Sequence, residues 1–480
     1  MFETVQELST AVQAAATVNG DTITVGNAGA LTPEVIDRLA WTAAFGASPE
    51  VKGTARWIIR SVAAAAGIRP ASIHDLYIAM GQGKAGGFTV PAINVRAMAY
   101  ETARAVIRAA KKLNAGAFIF EIARSEIGYT EQRPHEYAAV LFAAALREGF
   151  TGPLFIQGDH VQTNAKKYNS PERDKELETL RGLIREEIAA GFYNIDIDTS
   201  TLVDLDKPTL VEQQEVNVTL AADFAAYIRS VEPEGVTVSI GGEIGEVGGK
   251  NSDIHELHCY MDGLNAKLKE RGDYVGISKI SVQTGTAHGG FINADGTVRK
   301  DVAIDLEALE ELSTAARTYG MGGAVQHGAS TLPLEAFDAF PRVGACEIHL
   351  ATDFQNMVYD HAQFPAALKA EMYAWLQENA KEERKPKDTE EQFIYKARKK
   401  AIGPFKRQLW GMDAANREAI GASLEERFTR LMTLLKIGGT ADAVKQFVAV
   451  PAVPLSRHAE VQAAAGIITA DERKAEGLAD

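Results

Sequence analysis

At 480 residues the chain exceeds one average domain, yet it accommodates an α/β barrel of about 250 residues with extensions. Its 46% hydrophobic content is that of an ordinary globular protein, and no stretch approaches the roughly 20 uninterrupted apolar residues of a membrane span. The net charge of −14 argues against a general nucleic-acid surface, and the only two cysteines, Cys259 and Cys346, exclude a disulfide framework and a thiolate zinc site.

Any metal must therefore use His and carboxylate, and any phosphate must be held locally by backbone N–H groups of glycine-rich loops. The N-terminal Met1-Phe-Glu-Thr-Val-Gln-Glu-Leu lacks the basic start and apolar core of a signal peptide, so a cytoplasmic protein is expected.

Residues 1–75 read as an N-terminal helical extension. Thr32 stands at an N-cap position with Pro33 at the first helical position, and Val51 to Ala66 repeats apolar residues at helical spacing. Lys52, Arg56 and Arg60 read as a solvated face of that helix. From 76 to 365 strands and helices alternate. Gly87–Val95 is a first strand, Arg96–Leu113 its helix, and Ala115–Ile122 the next strand; Pro134 opens a helix that runs to Arg147. Strands at Pro153–Ile156 and Tyr193–Asp198 alternate with helices at Arg173–Ala190 and Leu210–Ser230, and strands beginning near Val236, Ile277, Ala324 and Ala345 complete eight. Eight βα units predict an α/β fold, a (β/α)8 TIM barrel. Residues 366–480, rich in Lys, Glu, Ala and Gln, form a C-terminal helical extension that packs on the barrel or on a neighbouring subunit.

Four strand ends carry chemistry. Gln157-Gly-Asp159-His160 follows one apolar run, and if the strand gives way to its loop there, the adjacent Asp159 and His160 point to opposite sides. Glu243 opens a Gly-rich turn after Val236–Ile240, His288-Gly289-Gly290 follows Lys279–Val282, and His327-Gly328-Ala329-Ser330 follows Met321–Val325. Three imidazoles and one carboxylate from separate strand ends suit zinc. A metal held by His160, His288 and His327 keeps a position for substrate oxygens; as a Lewis acid it polarises a carbonyl and stabilises an enediolate, the intermediate of carbon–carbon cleavage beside a ketone. Gly289, Gly290, Gly328 and Ser330 can offer backbone to a neighbouring phosphate.

Asp159-His160, Glu243-Ile-Gly-x-x-Gly-Gly249, Gly285-Thr-Ala-His-Gly289 and His327-Gly-Ala-Ser-x-Leu-Pro333 together resemble the class II, metal-dependent fructose-bisphosphate and tagatose-bisphosphate aldolases. Val90–Val95, which contains Asn94, and Ile195–Ser200 match in order and spacing, and Tyr395-Lys-Ala-Arg398 is similar to the family's terminal helix. The resemblance implies Zn2+ on His160, His288 and His327, with Glu243 a nearby or alternative ligand and a monovalent cation as a second candidate ion. It makes Asp159 the acid that handles the proton of the cleaved C4 hydroxyl, and Asp198 a carboxylate that orients a ligand. Gly289, Gly290, Gly328, Ser330 and Thr352 would cradle the ketose phosphate, with Asn94 and Asp353 as further substrate contacts. Arg398 is either a contact to a second phosphate or a helix-surface arginine. A homodimer or homotetramer acting on a phosphorylated ketose, with neither nucleic acid nor membrane as partner, is the expected assembly.

The sequence departs from the family in three places. Lys250-Asn251-Ser252 replaces the acidic pair whose second member deprotonates the donor ketone, which leaves Asp253 as the better candidate base and Glu246 as the other. The last strand has His349-Leu-Ala351 where the family has Asn-x-Asp/Asn, and Thr331 stands where Gly is usual. The leading expectation is cleavage of fructose 1,6-bisphosphate, with tagatose bisphosphate or another ketose 1-phosphate as alternatives, to dihydroxyacetone phosphate and an aldehyde. A non-catalytic sugar-phosphate-binding or assembly subunit and a metal-dependent hydrolase are the competing classes.

Overall fold

Short strands buried on both faces alternate with amphipathic helices, and the right-handed crossovers this forces close a ring. The computed structural model describes residues 1–245, 250–286, 292–293, 295, 297, 304–329 and 332–473. The ring consists of β1 (Val90–Asn94), β2 (Ile119–Ala123), β3 (Leu154–Gln162), β4 (Asn194–Asp198), β5 (Ser239–Glu243), β6 (Lys279–Val282), β7 (Ala324–Gln326) and β8 (Glu347–Leu350). Each strand pairs in parallel with the next, and β8 returns to β1 through Glu347↔Val90 to Leu350↔Ile93. This is a (β/α)8 barrel, as the alternation predicts. A two-residue strand, Pro70–Ala71, adds to β3 from outside.

Local chemistry sets the helix boundaries. Thr32 accepts a hydrogen bond from the Val35 N–H and Pro33 begins the helix Pro33–Phe45, where the sequence places them. Thr209 and Glu212 form a reciprocal capping box at the start of Leu210–Val231, and Gly191, at φ +93°, ends Arg173–Ala190. No helix among the described residues is long and apolar enough to cross a membrane.

Two strands run further than sequence patterning implies. β3 continues to Gln162 because Ile122 and Ala123 of β2 still pair with Gly158 and Asp159, and β5 continues through Gly241–Glu243 because these residues pair with Lys279–Ser281. The ligand candidates on both strands thus belong to the barrel wall. The N-terminal extension is also less purely helical than expected. Ala16–Asn19 and Thr22–Val25 form an antiparallel ribbon, favoured by the β-branched Thr22-Ile-Thr-Val run and a two-residue loop beginning at Gly20 with φ +58°.

The barrel interior is charged below the site. Lys279 Nζ donates to Gln157 Oε1 at 2.7 Å, to Asp196 at 2.9 Å and to Glu347. The His349 ring lies between carboxylates, with Nδ1 3.0 Å from Glu121 and 3.2 Å from Asp159, and Nε2 2.6 Å from Glu347. Tyr77 donates its hydroxyl to Glu347 from outside the ring. All of these residues are buried. Gly241 of β5 makes room for the cluster: a Cβ there would lie 2.2 Å from Asp196 Oδ1 and 2.9 Å from Lys279 Cε.

The extensions pack on each other and on the barrel. Helix Arg457–Ala464 crosses helix Pro49–Ala65 at Gly53, where a Cβ would meet the Val461 Cα at 2.4 Å. Beside that crossing, Glu460 takes Arg60 and, at 3.0 Å, His135. The solvated-face reading of the 52–60 charges needs correction: Arg56 and Arg60 are buried, because the C-terminal segments and helix Pro134–Arg147 cover them and supply Glu460 and Glu136.

Removing the interior cation tests this arrangement. Lys279→Met keeps the stem but strands Asp196 and Glu347, and it should destabilise the protein by about 3–5 kcal/mol, the cost of breaking a buried pair by deleting one partner. Urea unfolding followed by far-UV circular dichroism measures it, and a loss under about 1 kcal/mol would show that the interior charges are compensated by other means.

Candidate metal centre

Asp159 and His160 enter the site through a β-bulge. The β3–β4 register passes from Gly158↔Ile195 to Val161↔Ile197, so two residues of β3 stand opposite Asp196 alone. His160 adopts φ +39°, a left-handed conformation that costs a non-glycine residue roughly 1–2 kcal/mol and persists where surrounding structure enforces it. The bulge overturns the expectation that the two side chains point to opposite sides. Both are buried in one pocket, with Asp159 Oδ1 3.8 Å from His160 Nε2.

His160, Glu243 and His327 converge there. One donor atom from each lies within 4.8 Å of the others, and all three residues are buried. Their neighbours orient them. Asp198 Oδ2 is 3.1 Å from His160 Nδ1, while its own oxygens accept from the Gln162 amide at 2.6 Å and the Ser200 hydroxyl at 2.7 Å. Ser281 Oγ lies 2.9 Å from His327 Nε2. Gly328, next to His327, takes φ +66°, which lets the chain turn immediately behind the imidazole.

The donor set fits a divalent metal: two imidazoles and a carboxylate suit zinc, and a further ligand position remains. Burial and the Asp198 charge push the Glu243 carboxyl up to about 8 although His160 opposes them, and a cation bound beside it would favour its ionised form. Its Oε1 has no hydrogen-bond partner among the described residues. Asp159 stands beside this set. Burial alone would raise its carboxyl, but His160, His349 and His327 hold it below the usual carboxylate range.

The other expected site residues divide into two groups. His288, Gly289, Gly290 and Ser330, with Glu246 and Thr331, lie outside the described residues. The rest are engaged elsewhere. Asp253 is the N-cap of helix Ile254–Arg271, accepting from the His255 and Glu256 N–H groups at 3.0 Å each, and Lys250 lies 3.2 Å from its other oxygen. Asn94 donates to Glu126 at 2.5 Å, Asp353 pairs with Arg427 at 2.7 Å, and Thr352 begins the helix Thr352–Asp360. Arg398 is buried, paired with Asp360 at 2.9 Å and Asn356, between the Tyr359 and Tyr395 rings. It is therefore not a helix-surface arginine.

Sequence reasoning did not assign a role to His349, Glu121, Asp196, Glu347 or Lys279. The signal was the i, i+2 alternation of polar residues, Gln157/Asp159, Asp196/Asp198, Lys279/Ser281 and Glu347/His349, which lines one face of each strand.

If His160, Glu243 and His327 hold the metal, His327→Ala should lower bound zinc from about one per chain to near zero, whereas Asp198→Asn should weaken affinity by roughly 10–100-fold. Elemental analysis and competition with a chelating dye measure both, and full zinc retention in His327→Ala would dismiss the assignment.

The model of the family described as fructose-bisphosphate aldolase class-II matches residues 76–408. Among solved structures, the fructuronate–tagaturonate epimerase of Cohnella laeviribosi superposes with a TM-score of 0.52 at 13% identity, covering 90% of this chain and 91% of that one. A probable tagatose 6 phosphate kinase from Sinorhizobium meliloti superposes with a TM-score of 0.51 at 18% identity, covering 78% of this chain and 97% of that one. The fructose-bisphosphate aldolase of Campylobacter jejuni gives 0.47 at 17% identity, with 77% and 97% covered. With about two thirds of its residues matched by that model, the chain belongs to the class-II fructose-bisphosphate aldolase family.

Proposed function

We propose that the protein is a zinc-dependent aldolase that breaks and makes the C3–C4 bond of a phosphorylated ketose, with fructose 1,6-bisphosphate as the first substrate to test. The observation that carries this reading is the buried Asp159 carboxylate beside the His160–Glu243–His327 set. Zinc bound there supplies Lewis-acid polarisation of the substrate ketone. Asp159, kept ionised by its three histidine neighbours, takes the C4 hydroxyl proton as the bond breaks and returns it in the synthetic direction. Its Oδ2 makes no hydrogen bond among the described residues, so that oxygen is available to a substrate hydroxyl. Asp198 and Ser281 fix the two imidazole planes.

One feature favours a second reading, epimerisation at C4. After cleavage the enediolate fragment must take a proton at C3 before it leaves as a ketone, yet Lys250-Asn251-Ser252 offers no carboxylate, and Asp253 is held as a helix cap. A fragment denied that proton re-adds to the aldehyde, and re-addition to the opposite face gives the C4 epimer, with Asp159 exchanging the same hydroxyl proton. The Cohnella epimerase matches 90% of this chain, which necessarily includes parts of both extensions.

Incubating the zinc-loaded protein with fructose 1,6-bisphosphate, tagatose 1,6-bisphosphate and a ketose uronate separates the two readings: triose or aldehyde products support cleavage, and an epimer without them supports the second reading. Neither product with zinc bound would sink both. Asp159→Asn should retain zinc and lose turnover by roughly a hundredfold or more, the scale of a lost proton-transfer group; unchanged turnover would remove Asp159 from the mechanism. Asp253 is tested by hydrogen exchange from dihydroxyacetone phosphate in heavy water, where a base role demands sharply slower exchange in Asp253→Asn.

A further inference from the structure

Part of the charged face of helix Pro49–Ala65 forms the wall of a second cavity, about 340 Å³ in volume. Its other walls are the end of helix Pro33–Phe45, the first turn of helix Pro134–Arg147, and residues from 403–407 and 463–473. It shares no residue with the metal centre. Six cationic side chains border it, against the two carboxylates Glu131 and Glu136.

The pairing leaves positive charge over. Glu136 is shared by Arg56, at 3.2 Å, and Lys406; Glu131 takes Arg473 at 2.8 Å; and Glu186 and Glu472 match Arg133 from outside the cavity. Lys52 and Arg407 make no ion pair among the described residues. Arg407 donates only to the Phe45 carbonyl at 3.2 Å and lies over the Phe45 ring at 5.0 Å. Burial and the Arg56 charge push the Lys52 ammonium below its ordinary range, with Glu136 opposing and Lys406 adding. The cavity thus presents a half-buried ammonium and, at its exposed rim, a guanidinium, both without counter-ions among the described residues, and its volume is at the lower end of the roughly 300–1,000 Å³ of small-molecule sites.

We propose that this cavity is a binding site for a small phosphate-bearing ligand, whose dianion sits between Lys52 and Arg407. The ligand would add a further link between three parts of the chain already joined by ion pairs such as Arg56–Glu136, Lys406–Glu136 and Arg60–Glu460: the N-terminal helices, the barrel helix Pro134–Arg147 and the C-terminal segments.

The test is isothermal titration of the full-length protein with inorganic phosphate at matched ionic strength. Lys52→Met with Arg407→Gln, which keeps both stems, should lose a binding event, or weaken it about tenfold or more. His327→Ala should retain that event, and so should Arg430→Ala, which removes an exposed cation elsewhere. Circular dichroism checks the fold; if the double variant is unfolded, Lys52→Met alone carries the test with a weakening of about threefold or more. Phosphate binding equal in wild type and variant, including none in either, overturns the proposal. So does equal loss in Arg430→Ala, a general charge effect, or loss in His327→Ala with retention in the double variant, which places the anion at the barrel mouth.

Discussion

The Lys279 ammonium inside the barrel is the contact on which the rest of the site depends. A (β/α)8 barrel normally fills its interior with layers of branched apolar side chains. Here the layers beneath the metal centre hold Glu121, Asp159, Asp196 and Glu347, four carboxylates that are nearly or wholly buried. Isolated charges cannot persist in such a place. Lys279 binds two of these carboxylates, and His349, whose ring lies against the others, is held well into the charged range although burial opposes it. Asp196 nevertheless rises to about 6, burial being the largest cause with Lys279 opposing. A divalent cation at the His160–Glu243–His327 level would add positive charge to this carboxylate-rich interior.

This electrostatic frame holds the Asp159 carboxyl below the usual carboxylate range beside the candidate metal set. The bulge at Gly158–Val161 brings it inside beside His160, and His349 fixes its Oδ1. The same bulge aims His160 towards Asp198 and Glu243. One extra residue in one strand thus keeps both side chains inside, whereas plain alternation would have sent one of them out of the barrel.

Much of this was legible in the sequence, because fold and ligands leave local marks. Pro33, Pro134 and Thr209 fix helix starts through capping chemistry, and alternating apolar runs fix eight strands. Glu243 and His327 stand out because a metal-type side chain beside Gly at a strand end is uncommon, and His160 because it follows Asp159 after an apolar run. What stayed hidden depends on partners distant in sequence. Arg60 looks solvated until Glu460 is brought to it, and Asp253 looks like a candidate base until its capping bonds to His255 and Glu256 appear. Lys279 reads as a strand-end polar residue, since only barrel closure sets it against Gln157, Asp196 and Glu347. The direction of Asp159 was misread because no residue type announces a bulge of this kind.

The crossing of helix Pro49–Ala65 with helix Arg457–Ala464 bears on how the chain is made. Arg60 and Glu460 are 400 residues apart, so at ribosomal rates of roughly 5–20 residues per second the early helix waits for tens of seconds before its covering partner emerges. During that interval the groove at Gly53 lies open and Arg60 lacks its carboxylate. The barrel can close while the nascent N-terminal unit still exposes apolar surface. This helix therefore spends most of translation without the segment that covers it.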